Sequence, residues 1–312
     1  MEIDTDQNAV PAGAPGQDLP TIDVALVRRL VARQFPEWAE LPVRPVAVGG
    51  WDNRTFHLGD RMTVRLPSAV GYAAQVAKEH RWLPVLAPQL PLPIPTPLAK
   101  GEPDADFPLP WSVYGWIDGE TANRGRINDL TGFAEQVAAF LVALKKVDPT
   151  GGPGPGPHNF HRGGPPHFYD AETRRAIEEL DDLVPAATVT EIWEVALRSS
   201  WDGPPVWFHG DVAHGNLLLQ DGALAAVIDF GTSGVGDPAC DLAIAWTMFS
   251  GESRAAFRAG LAVDPGTWAR GQGWALWKAL IVWAAARHTD PVRVAESRYV
   301  VDQILTEFQQ SS

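Results

Sequence analysis

The sequence predicts an α+β protein, with a small antiparallel β region first and a larger, mostly helical region after it. Three observations predict this. Residues 45–67 read as short strands of alternating apolar and polar side chains, broken by glycine turns. From Phe133 onward, apolar residues recur at helical spacing. The length of 312 residues suits one large domain or two lobes that share a cleft.

The elements follow in order. Residues 1–18 are polar, with Pro and Gly, and read as a mobile tail. Thr21 is placed to cap a helix to about residue 34, with Ile22, Leu26, Val27 and Leu30 on one face. Strands come next: Val46 and Val48, a break at Gly49-Gly50-Trp51-Asp52-Asn53, then residues 55–58, a Gly59-Asp60 turn, and residues 61–66. In the last of these, Met62, Val64 and Leu66 face one way, and Arg61, Thr63 and Arg65 the other. A helix over residues 71–86 carries a single acid, Glu79. Prolines 84, 88, 91, 93, 95 and 97 predict extended connections rather than a long helix over residues 84–110. An aromatic strand spans 111–117, and the second region begins near Ile117.

There a helix over 133–147 places Phe133, Val137, Phe140, Leu141 and Leu144 on one face. The Pro/Gly stretch 148–166 is either a spacer or a mobile loop beside a substrate. A charged helix over 169–183 clusters Glu178, Glu179, Asp181 and Asp182, as a solvated face or one turned to a cation. Helices over 190–199, 242–249 and 267–287 follow. The last has Trp268, Trp274, Trp277 and Trp283 at helical spacing, which is mainly a core pattern.

Composition narrows the function. Lys and Arg number 25 against 38 Asp and Glu, a net charge of −13. This argues against a nucleic-acid partner, which calls for a basic face. Residues 1–116 hold 13 acids and 10 bases; residues 117–312 hold 25 and 15. The acidity therefore lies mainly in the second region, which suits a cationic small-molecule partner as well as plain solubility. A single cysteine, Cys240, excludes an intrachain disulfide and a cysteine-based zinc cluster. No run of about 18 apolar residues predicts a membrane span. The start, MEIDTDQ, lacks the apolar core of a signal peptide, so a cytoplasmic location is expected.

The chemistry concentrates between Val206 and Asp241. The segment reads His209-Gly210-Asp211-Val212-Ala213-His214-Gly215-Asn216, later Ile228-Asp229-Phe230-Gly231, and then Gly236-Asp237-Pro238-Ala239-Cys240-Asp241. Gln220-Asp221-Gly222 predicts a hairpin turn, because Asp-Gly supplies the positive φ such turns need. That hairpin would return Asn216 and Asp229 to the same sheet edge, with Asp211 five residues upstream of Asn216. Two carboxylates and an amide are the hard oxygen donors that magnesium takes. The order Asp, Asn five residues on, then Asp-Phe-Gly is the order used for phosphoryl transfer in protein kinases. One piece alone would be a turn or a strand end; three in order make a specific signal. There is no Gly-Lys-Ser/Thr phosphate loop and no G-x-G-x-x-G opening a helix.

The three pieces resemble the aminoglycoside phosphotransferase family, which stands with choline and homoserine-type kinases in the protein-kinase-like fold. The resemblance runs from about Pro45 to Arg287. It implies a bilobal protein with a nucleotide-binding lobe over 19–116 and a catalytic and acceptor-binding helical lobe over 117–312. It implies ATP or GTP and Mg2+ as cofactors, and a hydroxyl-bearing small molecule as acceptor. In that frame Asp211 orients the hydroxyl and accepts its proton, while Asn216 and Asp229 hold magnesium. Gly49, Gly50 and Asn53 belong to the phosphate loop, where glycine lets backbone N–H groups approach an anion. Arg65 stands where the family places a lysine; a guanidinium still forks onto phosphate oxygens. Glu79 is its expected partner. Tyr114, Gly115 and Trp116 fall where the family joins its lobes and binds the base, although a buried aromatic strand explains these side chains equally well. His209 is expected as a buried brace. Asp241 is expected to accept backbone N–H bonds, and Asp237 to do the same or face the acceptor. An aminoglycoside, a macrolide or a metabolite such as choline, homoserine or a sugar remains open as acceptor. A non-catalytic kinase-like module is the competing class, motivated by the missing lysine. Transfer to a protein side chain is disfavoured, because no Ala-Pro-Glu segment follows Asp229.

Overall fold

The computed structural model of the chain describes residues 19–47, 49–50 and 52–311. The expected tail over 1–18 lies outside the described residues, as do Val48 and Trp51. The chain divides into two compact units. Among the described residues, the first holds those from Leu19 to Gly119 together with Ala226–Gly231; the second holds Glu120–Ala225 and Thr232–Ser311.

The first unit is built on a five-stranded antiparallel sheet of order β1-β2-β3-β5-β4. Its strands are β1 (Val43–Pro45), β2 (Asn53–Leu58), β3 (Met62–Pro67), β4 (Pro97–Gly101) and β5 (Trp111–Gly115). The period-2 pattern decides the faces: Val64 and Leu66 are fully buried, in one core with Phe56, Leu58, Trp111 and Val113. Helix α1 (Val24–Gln34) covers that core with Leu26, Val27, Leu30 and Val31. Its cap is Asp23, not Thr21, because the Asp23 carboxylate accepts the Leu26 N–H at 2.8 Å. Strand β1 lies before Val46 rather than through it, since Val43 is the residue that pairs with Leu58 and enters the core.

The other face of the sheet carries Arg65 and Tyr114, and α2 (Ala73–Leu86) lies against it. Pro84 sits inside α2, which ends at Leu86 as expected. A helical proline costs about 3 kcal/mol, and burying Leu83 and Leu86 in the same turn offsets it at about 1.5–3 kcal/mol each.

The second unit is mostly helical: α3 (Leu130–Lys146), α4 (Asp170–Glu179), α5 (Ala186–Arg198), α6 (Ile244–Thr247), α7 (Gly251–Leu261), α8 (Pro265–Ala286) and α9 (Pro291–Ser311). Helices α7 and α9 were not expected from the sequence. Helix α8 packs against α4, α5 and α9, which buries Trp268, Trp274, Trp277 and Trp283. Two small sheets complete it. Strand β7 (Val206–Phe208) pairs antiparallel with β10 (Gly234–Gly236). Strands β6 (Glu120–Thr121), β8 (Leu217–Gln220) and β9 (Ala223–Val227) form the other, with the expected turn at Asp221 (φ 52°) and Gly222 (φ 77°). Strand β9 passes from the second unit into the first at Ala226.

The Pro/Gly stretch 148–166 is framework rather than spacer. Pro153 O accepts the Val235 N–H and Gly163 O the Asp237 N–H, both at 2.8 Å. Gly163 (φ +80°) is required there: a Cβ would stand 2.1 Å from the Phe208 ring. The acids Glu178, Glu179, Asp181 and Asp182 are exposed to solvent. Among the described residues no helix is long and apolar enough to cross a membrane.

Candidate active site

In the second unit the site is a loop closed upon itself. Strand β7 ends at the buried Phe208, and His209 is fully buried. The Asp241 carboxylate accepts the His209 N–H at 2.8 Å and the Gly210 N–H at 2.7 Å. It thus fixes the backbone entering Asp211, as expected of it. Burial pushes the Asp241 carboxyl up, while His209 and the two amides oppose the rise. His209 Nδ1 accepts the Asp211 N–H at 3.2 Å, which makes this histidine a brace.

Asn216 closes the far end. Its Nδ2 donates at 2.9 Å to Asp211 O and at 2.9 Å to Asp211 Oδ2. Both of these bonds use Nδ2, and neither uses the amide oxygen Oδ1. Asp237 has a different role from Asp241. It caps the 3₁₀ turn Pro238–Ala243 through Ala239 N–H, and Arg270 grips it from α8, with Nε to Oδ2 at 2.7 Å and Nη2 to Oδ1 at 3.3 Å. Arg270 also donates to Ser199 Oγ at 2.6 Å and Ser200 O at 2.9 Å. It is only 1% exposed, so this pair is a buried strut of the unit. The sequence held a signal for it: an arginine at a core position of a Trp-rich helix requires a carboxylate.

In the first unit the site gathers around Arg65 on β3. Arg65 Nη2 donates to Asp229 Oδ1 at 3.3 Å. Its Nη1 stands 3.9 Å from Glu79 Oε1, an ion pair too long for a hydrogen bond. Tyr114 donates its hydroxyl to the other oxygen of Glu79, and its ring lies 5.5 Å beneath the guanidinium. Burial opposes the charge on Arg65, but Glu79 and Asp229 outweigh it and push the pKa up. Burial likewise pushes the Glu79 carboxyl up, against the pull of Arg65. Asp229 has φ 64°, a left-handed conformation rare in a residue with a side chain.

The remaining expected residues are placed as follows. A Cβ at Gly49 or Gly50 would meet nothing within 4 Å, so this loop is open. Ser68 N–H donates to Asp52 O at 2.8 Å and closes its base. Asn53 is buried and starts β2 opposite Pro67. Tyr114 is packed inside the unit rather than displayed at its edge. Trp116 lies tilted against His57, with ring centroids 4.3 Å apart, and its indole donates to Asp118 at 2.6 Å. The N–H groups of Gly115 and Trp116 donate to Thr96 O and Arg61 O at 2.9 and 2.8 Å. By unit, Asp211, Asn216, Asp237 and Asp241 belong to the second, and Arg65, Glu79, Tyr114 and Asp229 to the first.

Among the described residues no group of three or more His, Cys, Asp or Glu could hold a metal. Magnesium does not require one. It takes one or two protein oxygens, completed by phosphate oxygens and water. The amide oxygen of Asn216 and the partly exposed carboxylate of Asp229 are donors of that kind.

The profile described as the phosphotransferase enzyme family matches residues 42–279. No curated protein matches the chain. Among solved structures, the GDP complex of wild-type aminoglycoside 2'-phosphotransferase-IIIa superposes with a TM-score of 0.68 at 17% identity, over 92% of this chain and 99% of that one. The streptomycin–ATP complex of APH(2")-IIa superposes with a TM-score of 0.58 at 16% identity, over 91% and 97%. The macrolide 2'-phosphotransferase MphH from Brachybacterium faecium gives 0.56 at 20% identity, over 89% and 97%. At these identities the likeness shows a shared fold, the protein-kinase-like one expected from the sequence.

Proposed function

The chain belongs to the phosphotransferase enzyme family, and we propose that it moves the terminal phosphate of ATP or GTP onto a hydroxyl of a small, cationic acceptor of the aminoglycoside type. The observation that carries this reading is the Asp211–Asn216 pair, closed at 2.9 Å and braced from below by Asp241. A carboxylate so fixed can orient an incoming hydroxyl with little freedom to lose. The hydroxyl oxygen forms a bond to the terminal phosphorus, the bond from that phosphorus to the bridging oxygen breaks, and the nucleoside diphosphate leaves. The hydroxyl proton passes to the Asp211 carboxylate. A free carboxylate has a pKa of about 4, so positioning matters more than basicity.

Arg65 grips the phosphates, with Glu79 and Tyr114 behind it, and the Gly49–Gly50 loop offers them backbone N–H groups. Asn216 Oδ1 and the Asp229 carboxylate are the oxygens assigned to magnesium. Magnesium, when bound, offsets the charge on the phosphates. The persistence of Asp211, Asn216 and Asp229 speaks against a non-catalytic module. A cytoplasmic location and a role in antibiotic resistance follow from this reading, since it draws on cellular nucleotide.

The acidic second region favours a cationic acceptor, and solved structures of the same fold hold kanamycin, streptomycin and gentamicin. A macrolide is the second reading. It rests on aromatic surface in the second unit, where the exposed Phe168 stacks on His161 at 3.5 Å and meets the half-buried Tyr169 edge-on at 5.0 Å.

A phosphotransfer screen with ATP and GTP against aminoglycosides, macrolides, choline, homoserine and sugars tests the acceptor. The expected result is magnesium-dependent release of nucleoside diphosphate, with kcat/KM on an aminoglycoside at least about tenfold above that on the other classes. Preferred turnover of a macrolide would select the second reading, and turnover confined to choline or homoserine would retire both.

A further inference from the structure

One face of α2 holds two segments of the first unit that the proposed chemistry uses. Residues 75, 78 and 79 stand i, i+3 and i+4 on that helix and so share a face. Gln75, 3% exposed, donates from Nε2 to Asp52 Oδ2 at 3.1 Å, and Asp52 lies in the glycine loop. The same side chain covers Gly231: a Cβ there would stand 2.6 Å from Gln75 Oε1, so a side chain at 231 would have to push this amide aside. Lys78, 9% exposed, donates from Nζ to Gly231 O at 2.5 Å. Glu79 stands 3.9 Å from Arg65, which reaches Asp229 at 3.3 Å. Thus the Asp229-Phe230-Gly231 segment is held at both ends from α2, directly at Gly231 and through Arg65 at Asp229.

Two physical facts call for such a hold. Asp229 is in the left-handed region, where a residue with a side chain persists only if its surroundings fix it. A lysine is also costly to bury, and here its ammonium donates to the backbone carbonyl of Gly231.

We propose that Lys78 is a positioning residue for phosphoryl transfer. It fixes Gly231 so that Asp229 keeps the backbone conformation that presents its carboxylate to magnesium, and Gln75 ties the glycine loop to the same segment. One helix face then sets both the phosphate loop and the metal-bearing segment. The inference rests on the reading that Asp229 holds magnesium.

Lys78→Met keeps the length and apolar stem and removes the donor. Hydrogen exchange of residues 226–232, in protein free of metal and nucleotide, is expected to quicken about tenfold, while β3 and β5 exchange as in the wild type. The magnesium concentration for half-maximal binding of a fluorescent ADP analogue is expected to rise about tenfold, with the acceptor KM within about twofold of wild type. If Lys78→Met gives no cooperative melt, Lys78→Gln is read by the same two measurements. Unchanged exchange and unchanged magnesium dependence in the folded variant would overturn the inference while the wild type still required magnesium. A wild type whose nucleotide binding ignores magnesium, or an Asp229→Asn variant that keeps the wild-type magnesium dependence, would overturn the metal reading and this inference with it.

Discussion

Asp211→Asn lowers kcat for phosphoryl transfer by roughly 10²- to 10⁴-fold and leaves nucleotide affinity within about twofold. The loop geometry supports the split. Asp211 is fixed by Asn216 through side chain and backbone, and by His209 through its own N–H. Two of these three bonds use backbone atoms and survive the substitution. An amide at 211 therefore keeps the loop and loses the oxygen charge that orients the hydroxyl and receives its proton. The loss falls on the chemical step, as an interaction made mainly in the transition state requires. Coupled assay of diphosphate release, together with nucleotide binding, separates the two effects. Equal turnover by both proteins would remove Asp211 from the mechanism.

Arg270→Met destabilises the protein by about 3–5 kcal/mol, the cost of leaving a buried carboxylate without its partner. Arg270 and Asp237 are 1% and 5% exposed, so solvent does not screen the pair. The loss depends on pH. Burial holds the Asp237 carboxyl above its ordinary value, and Arg270 opposes that. Without Arg270 the rise is larger. A carboxyl whose folded pKa exceeds its unfolded value stabilises the fold only while protonated, and the folded state loses ground as pH rises from about 4 upward. The gap between Arg270→Met and wild type is therefore expected to narrow as pH falls from about 8 to about 5. Urea denaturation at the two pH values measures it, and adding Asp237→Asn should recover part of the loss. A gap that widens on acidification would show that Asp237 is not the group left uncompensated.

The sequence made short-range relations readable. Asp211 and Asn216 lie five residues apart, and the Asp221-Gly222 turn carries its own chemical signature, so both were legible. Asp241 was legible because it recurs in a fixed context after Asp229. The contacts that escaped notice span long stretches of chain. Lys78 lies 153 positions from Gly231 and meets a backbone carbonyl, which leaves no mark on residue identity. Arg270 and Asp237 are 33 positions apart, and only the burial of α8 joins them. Tyr114 reads either as a base-binding residue where the family joins its lobes or as part of a buried aromatic strand; its side chain is buried, and its bond to Glu79 depends on where α2 lies. The cap at Asp23 shows the same limit at small scale: Thr21 and Asp23 both qualify by type, and one hydrogen bond to Leu26 decides.

The central claim is that Asn216 and Asp229 serve one magnesium ion while Asp211 serves the acceptor. A crystal structure with magnesium and a non-hydrolysable nucleotide tests it most directly. The account predicts Asn216 Oδ1 and an Asp229 carboxylate oxygen on the ion at about 2.0–2.1 Å, with Asp211 outside its coordination shell. An ion held by other residues, or by neither of these two, would contradict it.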